Sequence, residues 1–456
     1  MTLVEFVPPT PHPLWKLCPQ MGITDVVVKV NPELTGLADP WRYETLRSIV
    51  ERLKVEGLNV IGLEGEPFDM SPIKEYGVTD CIGNNINNYK NNIASVGGQL
   101  GTRFARRVRF PTGCEPPQGA VTPADSKNRA QLRTEEMESC FSRCSSCFQN
   151  REEALSHYRE LLESMGRLGI KLLCYNFMVG KGWSRTGVRE GRGGAKATYF
   201  SLKELTPKES DGSANASPIQ NVGALAKTSD KSELKIPHDQ VWANYEYFIK
   251  AVMPTAEKCG VRMALHPDDP CLPSLGGYAR IFGSIEAYDR AYAIYPSPSN
   301  AVTFCQANFK LMDGNNINNF KNNISFELGA TAPRNERPES ARGCEPSFRK
   351  LSSSCSSCFL INAARHFGKR IAFIHVRDVE GDKTDFTELF HDQGDTDQFA
   401  LMRTYRELGL DVPVRGDHVP EMAYDRKLTP EGTPGYFTLG RLFANGYLKA
   451  LLRGSE

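Results

Sequence analysis

Short, almost unbroken apolar runs alternate along this chain with longer stretches whose apolar residues recur every three or four positions. Eight runs stand out: "VEFVP" from Val4, "DVVVKV" (Asp25 to Val30), "NVIGLEG" (Asn59 to Gly65), "KLLCYNFM" (Lys171 to Met178), "RMALHP" (Arg262 to Pro267), "AVTFCQAN" (Ala301 to Asn308), "IAFIHVRD" (Ile371 to Asp378) and "VPVRGDH" (Val412 to His418). Runs without polar alternation suit strands buried on both faces. The stretches between them read as helices. One has Asp39 as N-cap, Pro40 in its first turn, Leu46, Ile49, Val50 and Leu53 on its apolar face, and Gly57 as its stop. A second turns Leu155, Tyr158, Leu162 and Met165 inward and ends at Gly169. A third follows Pro237, with Val241, Tyr245, Phe248, Ile249 and Val252 on one side, and ends at Gly260. The last starts near Tyr436 and carries Leu439, Phe443, Leu448 and Leu452. Eight strands with helical crossovers predict an α/β fold, a (β/α)8 TIM barrel; a doubly wound sheet is the fallback.

Two stretches, residues 82–150 and 313–359, break the rhythm, and connections of that length are uncommon in compact domains. They are related. "GNNINNYKNNI" (Gly83 to Ile93) returns as "GNNINNFKNNI" (Gly314 to Ile324), both contain "GCEP", and both close with "CSSCF". Removing them restores βα connections of ordinary length. The expected organisation is one catalytic barrel over 1–456, interrupted by two irregular insertions that follow strands and so emerge on the catalytic face. Shared ends and unequal middles suggest one inserted genetic element, translated in frame. Cys144/Cys147 and Cys355/Cys358 form CxxC pairs, but their separation is far outside the spacing of a local zinc ribbon. "TRFARRVRF" mixes Arg with Phe as single-strand nucleic-acid binders do, yet the second copy lacks it.

Composition narrows the function classes. A formal net charge of +1 gives bulk electrostatics no pull toward nucleic acid or membrane. No apolar run is long enough to span a bilayer. The opening "MTLVEFVPPTPHPLW" lacks the plan of a signal peptide, so a soluble cytoplasmic protein is expected. Of 13 cysteines, seven lie in the two interruptions, Cys81 borders the first, and the other five are scattered singly, as reduced cysteines are. A small-molecule substrate is the expected partner; a homodimer or higher homo-oligomer is the protein partnership left open.

The chemistry gathers at strand ends. Four successive strands end in His266, Cys305, His375 and Asp417. In a (β/α)8 barrel those ends form the mouth, where active sites sit. Singly, each residue has a structural reading; together they predict a metal site of two imidazoles, a thiolate and a carboxylate. That set suits Mn²⁺, Fe²⁺ or Zn²⁺ rather than Mg²⁺ or Ca²⁺. Arg377 lies two residues beyond His375 and points the same way if the strand continues, so it could hold a substrate carboxylate. Arg415 and Asp417 share that spacing. The competing role for these arginines is pairing with Asp268, Asp269 or other strand-end acids. His418 and Tyr436 follow the last strand, and both can transfer protons.

Longer motifs then come into play. "LCYNFM", "GWSRT", "WANYEYFIKAVMPTAEKCGVRMALHPDDP", "LGGYARIFGSIEAYDR", "TFCQ", "FIHVRDV", "RGDH" and "PGYFTLGRLFANGYLKALL", in this order, resemble the mannonate dehydratases, metal-dependent barrels of the xylose-isomerase-like type. The resemblance spans the chain apart from the two interruptions and a polar stretch near Lys203 to Lys231. It implies a hydro-lyase of hexuronate breakdown that converts D-mannonate to 2-keto-3-deoxy-D-gluconate, with Mn²⁺ or Fe²⁺. It implies His266, Cys305, His375 and Asp417 as ligands, and Asp417, His418 and Tyr436 as proton-transfer residues. It implies Asn176, Trp183 and Arg185 beside the substrate. Where the family commonly has "RPDHG", this chain reads Arg415-Gly416-Asp417-His418-Val419. The alternatives are another sugar-acid isomerase or epimerase on the same barrel, or an inactive homologue disabled by its insertions.

Overall fold

A computed structural model describes residues 1–31, 38–76, 149–180, 182–205, 235–312, 356–430 and 432–455. The Asn-rich repeats, both "GCEP" motifs, "TRFARRVRF" and three of the four CxxC cysteines lie outside the described residues. Two compact units are distinguished. The smaller, Glu75–Ala154, has described residues only at its two ends, where the Arg151 guanidinium lies 3.6 Å from the centre of the Tyr76 ring. The larger comprises Met1–Lys74 and Leu155–Glu456.

All eight expected strands form in the larger unit. They are β1 (Thr2–Leu3 and Glu5–Val7), β2 (Asp25–Lys29), β3 (Asn59–Glu64), β4 (Leu172–Tyr175), β5 (Arg262–Leu265), β6 (Asn300–Cys305), β7 (Ile371–Val376) and β8 (Pro413–Gly416). Each pairs in parallel with its sequence neighbour. The first strand closes the barrel by dividing its pairing. Thr2 and Leu3 face Pro413 and Val414, whereas Glu5 to Val7 face Val26 to Val28. Between the halves, the Val4 amide donates to the Val414 carbonyl at 2.9 Å. Closure leaves no sheet edge. Val4, Phe6, Val27, Leu172, Cys174, Ala264, Ala301, Ala372 and Phe373 cluster in one core. Small side chains on β5, β6 and β7 leave room for the larger rings of Phe6 and Phe373.

The helices follow the expected faces with two corrections. The first of those read from the sequence spans Tyr43–Val55, and its N-cap is Arg42, not Asp39. Asp39 instead occupies a left-handed turn (φ 47°), and its carbonyl accepts from the Arg42 amide at 3.0 Å. Pro40 therefore precedes the helix rather than opening it. Residues 155–168 are helical, with Leu155, Tyr158, Leu162 and Met165 buried. His238–Cys259 ends where expected, on Gly260 at φ 63°, a conformation glycine adopts without a Cβ penalty. In the last helix, Thr438–Gly454, Leu448 and Leu452 are buried but Phe443 is 37% exposed. Its ring packs edge-on against Phe390 instead.

One feature has no counterpart in the sequence reading. Gly187–Glu190, Lys196–Ser201, Val379–Asp382 and Asp385–Glu388 form a four-stranded antiparallel sheet. Its hairpins follow β4 and β7, so it grows from the C-terminal rim of the barrel. The helix Ser356–Phe367 includes the last four residues of the second interrupting stretch. There Ser357 is buried, and its hydroxyl accepts from the Asp397 amide at 2.8 Å. No helix among the described residues is long and apolar enough to cross a membrane.

Candidate metal centre and active site

Strand geometry brings the four candidate ligands together. His266 follows β5, Cys305 ends β6, His375 lies on β7 and Asp417 follows β8. Each offers one ligand atom, and these atoms all lie within 4.8 Å of one another. His266 Nδ1 is 2.8 Å from the Pro267 carbonyl, which fixes the ring and leaves Nε2 for the cluster. His375 is fully buried, yet neither ring nitrogen has a hydrogen-bond partner among the described residues. Its Nδ1 is 3.7 Å from Asp417 and its Nε2 is 3.6 Å from Glu64. Orphaned buried nitrogens are costly unless something else satisfies them, and a cation does so.

Electrostatics prepares most of the set. Burial lowers His266 and His375 to about 4, helped by each other's proximity at His266 and by Arg415 at His375, so both rings are neutral at pH 7. Burial opposes ionisation of Asp417, but Arg415, donating at 2.9 Å, together with His418 and His375 outweighs it and holds the carboxyl well below the usual range. Burial pushes the Cys305 thiol up to about 12, and the thiol donates to Asn308 Oδ1 at 2.9 Å. Two neutral imidazoles, a carboxylate and a thiol whose proton a metal would displace suit a divalent transition ion.

The β8 loop carries the proton-transfer candidates. Tyr436 donates to Asp417 Oδ1 at 3.2 Å and lies 3.3 Å from His418 Nε2. Trp183 meets the His418 and Tyr436 rings edge-on at 5.2 and 6.1 Å. His418 has φ 45°, rare for a residue with a Cβ, and it faces Gly435. A Cβ on Gly435 would sit 2.9 Å from His418 Nδ1. The missing side chain lets the loop fold back until the Val419 amide reaches the Gly435 carbonyl at 2.8 Å.

The arginines are committed internally. Arg377 donates to Glu388 at 2.6 and 2.8 Å, to Asp269 at 3.0 Å and to Asn308 at 2.7 Å. Arg185 grips the same two carboxylates, Asp269 at 2.8 and 2.9 Å and Glu388 at 2.7 and 3.1 Å. Arg415 spans Glu64 at 2.6 Å and Asp417 at 2.9 Å. For Arg377 and Arg415 this is the pairing with strand-end acids that the sequence offered as the competing role. A substrate carboxylate at Arg185 or Arg377 would have to displace one of these partners. Asn176 accepts from Lys74 Nζ and the Met178 amide, each at 3.1 Å.

Glu64, Lys74 and Glu388 escaped the sequence reading. Glu64 ends β3, so the strand-end logic applied to β5 through β8 would have found it. Lys74 is buried against Glu66 and Asn176, and Glu388 belongs to the unanticipated sheet. Neither stands out in the sequence.

Fold and site together define a metal-dependent (β/α)8-barrel enzyme. Comparison with known proteins sharpens the class. Residues 127–332 and 355–456 match the family model of D-mannonate dehydratase (UxuA), and the chain belongs to that family. The unmatched gap between them falls inside the second interrupting stretch. A mannonate dehydratase of Lachnoclostridium phytofermentans is 29% identical over 337 residues, covering 67% of this chain and 78% of that one. One of Streptococcus equi subsp. zooepidemicus is 27% identical over 324 residues, covering 67% and 74%. The crystal structure of mannonate dehydratase from Streptococcus suis serotype 2 superposes with a TM-score of 0.63 at 20% identity, covering 100% of this chain and 95% of that one, and so shares the fold.

Proposed function

We propose that this enzyme removes water from D-mannonate to give 2-keto-3-deoxy-D-gluconate, with Mn²⁺ or Fe²⁺ held by His266, Cys305, His375 and Asp417. The observation that carries the reading is the junction of two groups at Asp417: the four-donor cluster and the Asp417–His418–Tyr436 triangle. The reaction takes a proton from C2, beside the carboxylate, and loses hydroxide from C3. The bound ion would supply Lewis acidity for the negative charge that develops.

The side chains do the rest. Burial lowers His418 to about 4, so it stands as a neutral acceptor, and the Tyr436 hydroxyl carries a proton within reach of it. Together they provide the acceptor and the donor that the reaction needs. Arg415 holds Asp417 ionised and fixed. Trp183 walls the pair and limits water. Free thiols at all described cysteines fit a reducing cytoplasm.

The test is turnover of D-mannonate by the manganese- or iron-loaded protein, with colorimetric detection of the 2-keto-3-deoxy acid. An isomeric sugar acid formed without loss of water would favour the epimerase reading. No product at full metal occupancy would refute the dehydratase. Running the assay also on a chain lacking 82–148 and 313–355 tests whether those stretches are insertions dispensable for catalysis. That deletion spares the helix beginning at Ser356.

A further inference from the structure

Lys29 is the last residue of β2, and its ammonium has no hydrogen-bond or ion-pair partner among the described residues. Its direction follows from the strand. Val27 belongs to the core cluster, and side chains two apart on a strand share a face. Lys29 therefore points inward, one layer higher, at the mouth. Its register partner is Glu64, the carboxylate beside His375 and Arg415. Its Nζ lies 5.9 Å from the centre of the Phe6 ring, and Phe6 is in turn 6.1 Å from the ring of Tyr436. Lys29 thus stands on the rim of the site, half-buried.

The charges around it are otherwise matched. Arg185 and Arg377 balance Asp269 and Glu388, Arg415 balances Glu64, and Lys74 balances Glu66. A divalent ion would balance the Asp417 carboxylate and the Cys305 thiolate. The imidazoles are neutral. One positive charge, that of Lys29, is left over at the mouth, and Arg185, Arg377 and Arg415 are already held by buried carboxylates. A sugar-acid substrate brings one negative charge.

We propose that Lys29 is the anion anchor of the site, donating from its ammonium to the substrate carboxylate and selecting acids over uncharged sugar derivatives. The inference rests on the sugar-acid reading above. Lysine fits the task as a mobile point charge with three donors. A half-buried, charge-assisted hydrogen bond of this kind changes affinity roughly tenfold to a hundredfold.

The test compares the manganese-loaded full chain with Lys29→Met and Lys29→Arg. Lys29→Met is expected to raise KM for D-mannonate about tenfold or more while kcat and manganese content change little. Lys29→Arg is expected to recover part of the loss. Inhibition by the uncharged analogue D-mannonamide should be the same in wild type and Lys29→Met. Unchanged KM for the acid, or equal losses for acid and amide, would overturn the assignment. Calorimetric titration of D-mannonate into the same proteins separates the two readings. If wild type binds the acid more tightly than Lys29→Met yet forms no 2-keto-3-deoxy acid, the dehydratase reading fails and the anchor stands. If wild type binds no acid, the anchor fails.

Discussion

Glu64 offers a sharp test of how the barrel holds its ion. His375 has two ring nitrogens and, when neutral, one N–H. Nδ1 faces Asp417, a member of the ligand cluster, at 3.7 Å; Nε2 faces Glu64 at 3.6 Å. If the ion takes the nitrogen on the Asp417 side, the remaining N–H points at Glu64, and a shift of about half an ångström completes a hydrogen bond. Glu64 is itself clamped by Arg415 at 2.6 and 3.2 Å, and Arg415 also holds Asp417. One carboxylate would therefore orient one proposed ligand directly and a second through the arginine. Glu64→Gln keeps the shape and removes the charge. Loss of such a partner typically lowers metal affinity about 10- to 100-fold. The same substitution leaves Arg415 less compensated. Removing one partner of a buried pair costs about 3–5 kcal/mol, and the 15% exposure of Glu64 puts this case at the lower end. Manganese affinity, read by chelator competition, and thermal unfolding of the metal-free protein measure the two effects separately. A folded Glu64→Gln variant that binds manganese as tightly as wild type would refute the role.

Three further substitutions probe other links. Cys305→Ser should lose bound manganese and activity together, since a buried hydroxyl replaces the thiolate; full activity at full metal content would remove Cys305 from the ligand set. Gly435→Ala places a Cβ at φ 88° and 2.9 Å from His418 Nδ1, so it should cost about 1–2 kcal/mol in backbone strain and lower kcat through a displaced His418, read by melting and by turnover. His12 caps the helix Pro13–Gln20 through Nδ1, which accepts from the Leu14 amide at 3.2 Å, and burial, with Arg441 nearby, lowers it to about 4. Its contribution is complete above pH 6.5 and is lost as pH falls toward 4, because the unfolded chain binds the proton more readily. His12→Asn keeps a capping acceptor without the titration, so the wild-type melting temperature should fall relative to this variant between pH 7 and 4.5; parallel curves would refute the assignment.

Much of the barrel was legible because its strands are buried on both faces and so read as unbroken apolar runs. The four clustered donors were legible for a related reason. A parallel barrel gathers strand ends at one mouth, so position along each run stands in for position in space. What escaped had no such marker. The rim sheet is built from short segments such as Gly187–Glu190, whose burial alternates, and its two hairpins meet only where Lys196–Ser201 pairs with Asp385–Glu388, far away along the chain. The partners of Arg377 and Arg415 were open for a different reason, since a guanidinium two residues from a candidate ligand fits either a substrate or a buried acid. Asp39 misled because a turn aspartate and an N-cap share the same residue preference. Phe443 misled because the rim, rather than the core, supplies its neighbour.

The rim sheet and the metal site are not separate achievements of the fold. Glu388 comes from the sheet, Arg185 from the loop entering it, Asp269 from the loop after β5, and Arg377 from just beyond β7. Each arginine binds both carboxylates, so the charges cancel only when all four segments are in place. Arg377 also donates to Asn308 Oδ1, the oxygen that receives the Cys305 thiol. Docking of the sheet is thereby coupled, through two hydrogen bonds, to the orientation of one proposed ligand. Because neither arginine can keep its donors satisfied with one acid missing, a fault in the rim should reach the metal before it reaches the barrel. Glu388→Gln is accordingly expected to weaken manganese binding while the barrel's far-UV circular dichroism is retained. Unaltered manganese affinity in that variant would show that the sheet is a lid only, without a part in holding the ion.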